Sequence, residues 1–284
     1  MTMIKKLLGA LALSLSCSVG FAAEAGYPIE SAPNRINNMA SLQNGAKLFV
    51  NYCLNCHSAN AVRYNTLTQI GLTDDEIRKN LLFSADKVGD LMKIAMTREM
   101  GAKWFGAAPP DLSVIARAKS TNLGPSGTDY IYTYLRTFYR DAASPTGWNN
   151  LAFPSVGMPH AMWERQGGNS VKRETIAQVT NDDGTKEWVR TTASYDPEGF
   201  SVINTETLAN YSGKAVDNVT LTPVNAKQAA AYDNDVADLA NFLGWMAEPA
   251  QLTRKKIGAG VVLFLLVFFG VAWRLNRVFW KDVK

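Results

Sequence analysis

The segment Cys53-Leu54-Asn55-Cys56-His57 restricts what this chain can become more than any other. Cys-x-x-Cys-His is the attachment sequence of c-type haem. Each thiol can add to one vinyl group of the macrocycle, and the adjacent His57 is then held under the iron as its proximal ligand. Other uses of the same residues fail on counting. A zinc site needs four ligands, and outside the N-terminal leader the chain offers only Cys53, Cys56, His57 and His160, not at zinc-finger spacing. A thioredoxin-like pair does not call for the histidine, and no βαβ pattern surrounds it. One motif implies one haem. Upstream, Ala46, Phe49, Val50 and Cys53 recur at i, i+3, i+4 and i+7, so the motif closes a short amphipathic helix.

Both ends of the chain carry apolar runs. Lys5 and Lys6 precede Leu7 to Val19, and small residues follow at Gly20, Ala22, Ala23 and Ala25. This pattern reads as a secretion signal over residues 1–25. Cys17 lies inside it, and Ser14 stands where a lipoprotein site would need an aliphatic residue. The second run, Ile257 to Trp273, has 17 residues and no charge, bracketed by Arg254-Lys255-Lys256 and Arg274. At ~1.5 Å per residue it covers about 25 Å, and snorkelling lysine and arginine heads can supply the rest of a bilayer crossing. The reading is a transmembrane helix over 257–273, an exported domain over 26–253 and a cytoplasmic tail over 274–284. Basic residues crowd these ends. Residues 26–253 hold 20 Lys and Arg against 23 Asp and Glu, a net charge of −3, which excludes a nucleic-acid binder.

An electron-carrying haem does best with both axial positions filled by protein. Met158 lies in Phe153-Pro154-Ser155-Val156-Gly157-Met158-Pro159-His160, which Pro and Gly keep out of helix or strand. Such a loop can present a thioether, and a soft sulfur ligand raises the reduction potential relative to a second imidazole. Met158 is therefore the candidate sixth ligand. Met100, read as a loop residue in Glu99-Met100-Gly101, and His160, read as a surface residue, are its rivals.

Together these residues resemble the cytochrome c1 family, the haem subunit of the cytochrome bc1 complex, in its bacterial form. CLNCH is followed by Ser58 and Arg63-Tyr64. Ala108-Pro109-Pro110-Asp111-Leu112-Ser113 precedes Ile115 and Arg117, and Asp129-Tyr130 opens a helix. Gly157-Met158-Pro159 comes next, and Trp245-Met246-Ala247-Glu248-Pro249 stands just before the anchor. The resemblance implies that Cys53 and Cys56 hold the vinyls and that His57 and Met158 bind iron. It also implies that Arg117 and Tyr130 reach the propionates and that Pro109 and Pro110 wall the haem. Two positions depart from the pattern. Trp104-Phe105-Gly106 stands where many relatives have an Asn pair before the Gly, and His160 replaces a proline often found two after the methionine.

The implied function is electron transfer: one electron accepted from a Rieske iron–sulfur protein and passed to a cytochrome c. This places the chain in a ubiquinol–cytochrome c reductase of the bacterial inner membrane, its haem domain periplasmic. Quinol oxidation belongs to the partner cytochrome b, so the chain has no catalytic residue of its own. The alternatives are a free-standing anchored c-type cytochrome and, less favoured, a haem peroxidase or sensor, which needs an open iron position.

The expected fold is mainly α: a class I cytochrome c-like haem domain with a β-hairpin insertion and one C-terminal transmembrane helix. Thr73-Asp74-Asp75-Glu76 is a capping box opening a helix to Phe83. Asp111 is expected to cap Leu112–Lys119, and Thr128 a helix with Ile131, Tyr134, Leu135 and Phe138 on one face. Thr222-Pro223 is expected to start a longer helix with Tyr232, Val236, Leu239, Ala240, Leu243 and Met246 in one stripe. Residues 167–222 are polar and read as an insertion whose hairpin turns at Asp182-Asp183-Gly184. Deleting residues 254–284 is expected to release a haem-containing domain that stays in solution without detergent. A truncated protein that still partitions with membranes would place a second membrane contact in the exported domain.

Overall fold

The computed structural model describes residues 27–181 and 184–282. The expected signal over 1–25 and the turn residues Asp182 and Asp183 lie outside them. Helix α1 (Met39–Leu48) starts at Asn38, whose side chain accepts from the Ser41 amide at 3.2 Å. It buries Leu42, Gly45, Ala46 and Leu48, then widens into a π-helical turn over Phe49–Cys53 that delivers the first motif cysteine. A π turn inside a helix often marks a functional position.

Helix α7 (Ala226–Ala247) is the other half of the core. Tyr232, Val236, Leu239, Ala240, Leu243 and Met246 are all buried, and from Val236 to Ala247 few side chains reach solvent. Helices α1 and α7 meet at Gly45, where a Cβ would stand 2.5 Å from Phe242 Cβ and would strike the Asp238 carbonyl oxygen. One turn on, Phe49 and Phe242 pack with ring centroids 5.7 Å apart.

Smaller elements close round this pair. They are α2 (Asp74–Asn80), α3 (Arg98–Phe105), α4 (Ile115–Ala118), α5 (Gly127–Arg136) and α6 (Trp163–Gln166). Two short antiparallel pairs accompany them: β1 (Ala59–Arg63) with β2 (Leu91–Met92), and β3 (Phe138–Arg140) with β4 (Trp148–Asn150). The Thr73–Glu76 capping box is present, but α2 ends at Asn80 and Phe83 is exposed.

Three helix starts differ from the sequence expectation. Asp111 caps nothing; its carboxylate accepts from the Ser113 and Asn60 amides, and α4 begins at Ile115 without a side-chain cap. Helix α5 is capped by Ser126, not Thr128. Ser126 and Asp129 exchange reciprocal bonds as a capping box, whereas Thr128 Oγ1 lies against α7 at Gly244. Helix α7 starts at Ala226 behind Asn225, because Thr222 and Pro223 are taken by a strand.

That strand belongs to the polar segment, which forms a four-stranded antiparallel sheet of β5 (Asn169–Thr180), β6 (Lys186–Tyr195), β7 (Ser201–Leu208) and β8 (Val216–Pro223). Its spatial order is β7-β6-β5-β8. β5 and β6 pair in register from Val171↔Tyr195 to Thr180↔Lys186, so they flank the Asp-Gly turn; Gly184 has φ +81°. The sequence reading had one hairpin here and missed β7 and β8, whose polar, Thr- and Asn-rich residues show no clean alternation. The sheet docks through Val171 against Tyr139 and Leu151.

Helix α8 (Gln251–Phe279) follows Glu248-Pro249-Ala250 and runs beyond the predicted 257–273 at both ends. Its mean hydropathy is 2.2 over its most apolar window, and none of that window is buried. Its 29 residues span about 43 Å at ~1.5 Å each, enough to cross a bilayer.

Gly45→Ala places a methyl group where two helix backbones touch. Overpacking of this kind costs about 1–3 kcal/mol, so the full-length haem protein in detergent is expected to unfold at clearly lower denaturant. An unchanged midpoint would mean that α1 and α7 can separate at no cost.

Candidate functional site

The motif occupies a single turn. The Cys53 carbonyl accepts from the Cys56 amide at 3.1 Å and from the His57 amide at 2.9 Å, which holds the two thiols and the imidazole together. Neither cysteine is in a disulfide. Burial pushes the Cys53 thiol up to about 12, with Cys56 adding to the shift, so it stays a neutral thiol and a poor partner for disulfide exchange.

The segment after Pro109 is zipped onto this turn. His57 Nδ1 lies 2.8 Å from the Pro110 carbonyl oxygen, and Leu112 N donates to Ser58 O at 2.8 Å. Asn60 N donates to Asp111 Oδ2 at 2.7 Å, and Ala61 N to Ser113 Oγ at 3.0 Å. Each residue of Pro-Asp-Leu-Ser thus has a bonded partner between His57 and Ala61. A carbonyl only accepts, so Nδ1 carries the proton and Nε2 keeps a lone pair for a metal. Burial lowers the His57 pKa, outweighing the upward push of Pro110 and Asp111, and so favours the neutral, ligating form. Burial alone would raise the Asp111 pKa. Hydrogen bonds from Ser113 and Asn60 outweigh it and hold the carboxyl below its ordinary value.

Met158 is half-buried on the main core, beside Tyr134 of α5. The Tyr134 hydroxyl donates to Met158 Sδ at 3.4 Å, and Tyr130 and Tyr134 stack with centroids 6.0 Å apart. Burial raises the Tyr134 pKa well above its ordinary value, so the hydroxyl remains a donor. The methionine loop passes the end of α3, since a Cβ on Gly157 would lie 3.5 Å from the Phe105 carbonyl oxygen. α3 in turn presses on Pro109, which a Cβ at Gly101 would approach to 2.8 Å. The methionine loop, α3 and the Pro109 segment that bonds the His57 turn thus lie side by side.

Other candidates fall differently. Met100 sits in the first turn of α3, its amide capped by Thr97, and is not a loop residue. His160 is not at the surface: it is 2 % exposed and lies among Phe138, Trp148 and Tyr232. Burial lowers its pKa to about 3, with Gln166 pushing up and Arg140 down, so the ring is neutral. Arg117 is exposed on α4, whereas the cation over the Tyr130 ring is Lys119, 4.9 Å from its centroid. Sequence reading missed Lys119, and it took Tyr134 for a core residue. The only trace of Tyr134's polar role is a hydroxyl at i+4 from Tyr130 on a face otherwise apolar.

The residues fit a covalent haem. Two unpaired thiols and a neutral imidazole with a fixed tautomer share one turn, and a thioether with its own donor lies on the same core.

Comparison with known proteins agrees. The model of the cytochrome C1 family matches residues 31–90 and 216–283. Residues 91–215, which hold Met158 and most of the sheet, lie outside that match. A cytochrome c1 from Allochromatium vinosum is 38% identical, covering 99% of this chain and 100% of its own length. The ammonia monooxygenase gamma subunit of Nitrosomonas europaea is 36% identical, covering 100% of both. A cytochrome c1 from Rhodospirillum rubrum is 27% identical over 86% of this chain and 82% of its own.

In a Cys53→Ala, Cys56→Ala double variant all haem is expected to leave on acid–acetone extraction, and little folded chain to accumulate. Haem stain that stays with the polypeptide on a denaturing gel would refute attachment through these two sulfurs.

Proposed function

The chain belongs to the cytochrome c1 family, which carries a covalently bound c-type haem, and from that premise we propose that it is the electron-transfer subunit of a ubiquinol–cytochrome c reductase. It accepts one electron from a Rieske iron–sulfur protein, delivers it to a cytochrome c, and is held beside cytochrome b by α8. The haem, when bound, supplies a one-electron ferric–ferrous couple. Everything else is done by the protein: ligands, burial and a docking surface.

Cys53 and Cys56 are the attachment residues in this proposal, and His57 and Met158 the axial ligands. Pro109 and Pro110 wall the group, and Tyr130 reaches a propionate. Arg117 reaches a propionate as well, while the cation over the Tyr130 ring is Lys119. The Gly45 crossing and the Phe49–Phe242 contact support a class I arrangement, in which a first and a last helix pack close behind the motif. An exported domain with a net charge of −3 suits a basic carrier, since complementary charge chiefly raises the encounter rate. The domain is placed on the periplasmic side of the inner membrane, after removal of a signal over 1–25.

The observation that carries the proposal is the His57 imidazole, its Nδ1 proton fixed on Pro110 beside two free thiols. Two measurements test it. Purified in mild detergent, the chain should bring b-type haem and a [2Fe–2S] centre. Purification with a monooxygenase in their place would give it the assembly named for the Nitrosomonas relative and overturn the proposal. Met158→Leu keeps the volume but removes the sulfur. It is expected to abolish the weak far-red sulfur-to-iron band of the ferric protein, lower the potential and admit carbon monoxide. Met100→Leu should change none of these, and the opposite pattern would move the ligand to Met100.

A further inference from the structure

We propose that His160 is a positioning residue for Met158: a buried ring that fixes, through Phe138 and Tyr134, where the thioether sits. The inference rests on Met158 being the axial ligand. A closed circuit of contacts carries it. His160 stacks on Phe138 with centroids 4.6 Å apart and planes 1° from parallel. Phe138 meets Tyr134 edge-on at 5.2 Å, and the Tyr134 hydroxyl donates to Met158 Sδ at 3.4 Å. The backbone closes the ring, since only Pro159 separates Met158 from His160, a reach of at most ~7 Å. Proline restricts both itself and the methionine before it, so a fixed imidazole leaves the sulfur little room to wander.

The imidazole is well held. Trp148 meets it edge-on at 5.1 Å and Tyr232 at 6.0 Å, and the residue is 2 % exposed. Phe138 is fully buried, and the Tyr232 hydroxyl donates to the Leu135 carbonyl at 2.9 Å, so the walls of the cage are themselves fixed. Stability alone does not account for histidine here. Among the described residues neither ring nitrogen has a partner at hydrogen-bond geometry, nor has Oε1 of Gln166, although that side chain is near enough to push the ring's pKa up. Burying an unbonded polar ring costs stability that an aliphatic side chain would not lose. What the position gains is a flat, compact ring between Phe138 and Trp148. An axial thioether held from two sides, by its own loop and by a tyrosine hydroxyl, is less free to leave the iron.

His160→Leu keeps much of the bulk and removes the flat ring. In the full-length haem protein it is expected to weaken the far-red sulfur-to-iron band and to raise the fraction of ferrous protein that binds carbon monoxide at least tenfold. The potential is expected to fall as a separate readout, each tenfold loss of preference for the ferrous state being about 59 mV for one electron. Phe138→Leu breaks the same stack from the other side and should give the same signature; it decides the matter if His160→Leu yields no haem protein. Ile77→Val, fully buried in α2, is the control, expected to lower the unfolding midpoint while leaving band and potential unchanged. If the His160 and Phe138 variants lose stability but keep the parent's band, potential and carbon monoxide resistance, His160 only packs and the proposal fails. Met158→Leu in the same series separates the two ideas: were it to keep the band, the ligand assignment itself would be wrong.

Discussion

Helices α1 and α7 approach so closely at Gly45 that a single added carbon would strike the α7 backbone. Much of the architecture follows from that contact. α1 continues through its π turn into Cys53, so the crossing sets where the attachment motif begins. α7 continues through three residues into α8, so the same crossing ties the Cys53–His57 turn to the long apolar helix. Two arginines brace α7 from outside. Arg35 reaches Asp238 at 2.7 Å, and Arg136 of α5 engages both Asp233 and Glu30. These bonds bring the start of the described chain onto the last helix of the domain.

The chemistry of the site was legible in the sequence to the extent that it is local. Cys53, Cys56 and His57 are constrained by spacing alone, and spacing survives without a structure. Pro110 and Asp111 could be quoted from a family resemblance, but their use comes from pairing with residues some fifty positions earlier, which periodicity cannot reveal. His160 shows the limit most clearly. Read alone, a histidine beside proline in a Pro- and Gly-rich loop looks solvent-exposed; the aromatic cage that buries it comes from β3, β4 and α7. Helix starts failed for a related reason. Thr128 and Thr222 are acceptable caps in isolation, but tertiary packing claimed one and strand pairing the other.

The four-stranded sheet stands apart from this economy. It rests on a small cluster of its own, Tyr139, Leu151 and Val171, beside the main core. Ion pairs run across its strands: Arg173 pairs with Asp217 across β5 and β8, and Arg190 lies between Glu174 and Glu206. Such cross-strand pairs each contribute modestly. The family model leaves out most of this region, whereas the Allochromatium and Nitrosomonas relatives align through it.

The bond from His57 Nδ1 to the Pro110 carbonyl has a consequence for heredity. Every residue type has a main-chain carbonyl, so no codon change at position 110 deletes the acceptor. What the codon can alter is where that carbonyl points, and the two adjacent prolines restrict the dihedrals that would turn it. The tautomer that leaves Nε2 its lone pair is thus chosen by an atom outside the reach of point mutation. Its neighbours Asp111 and Ser113, which bond through side chains, can be lost in a single step.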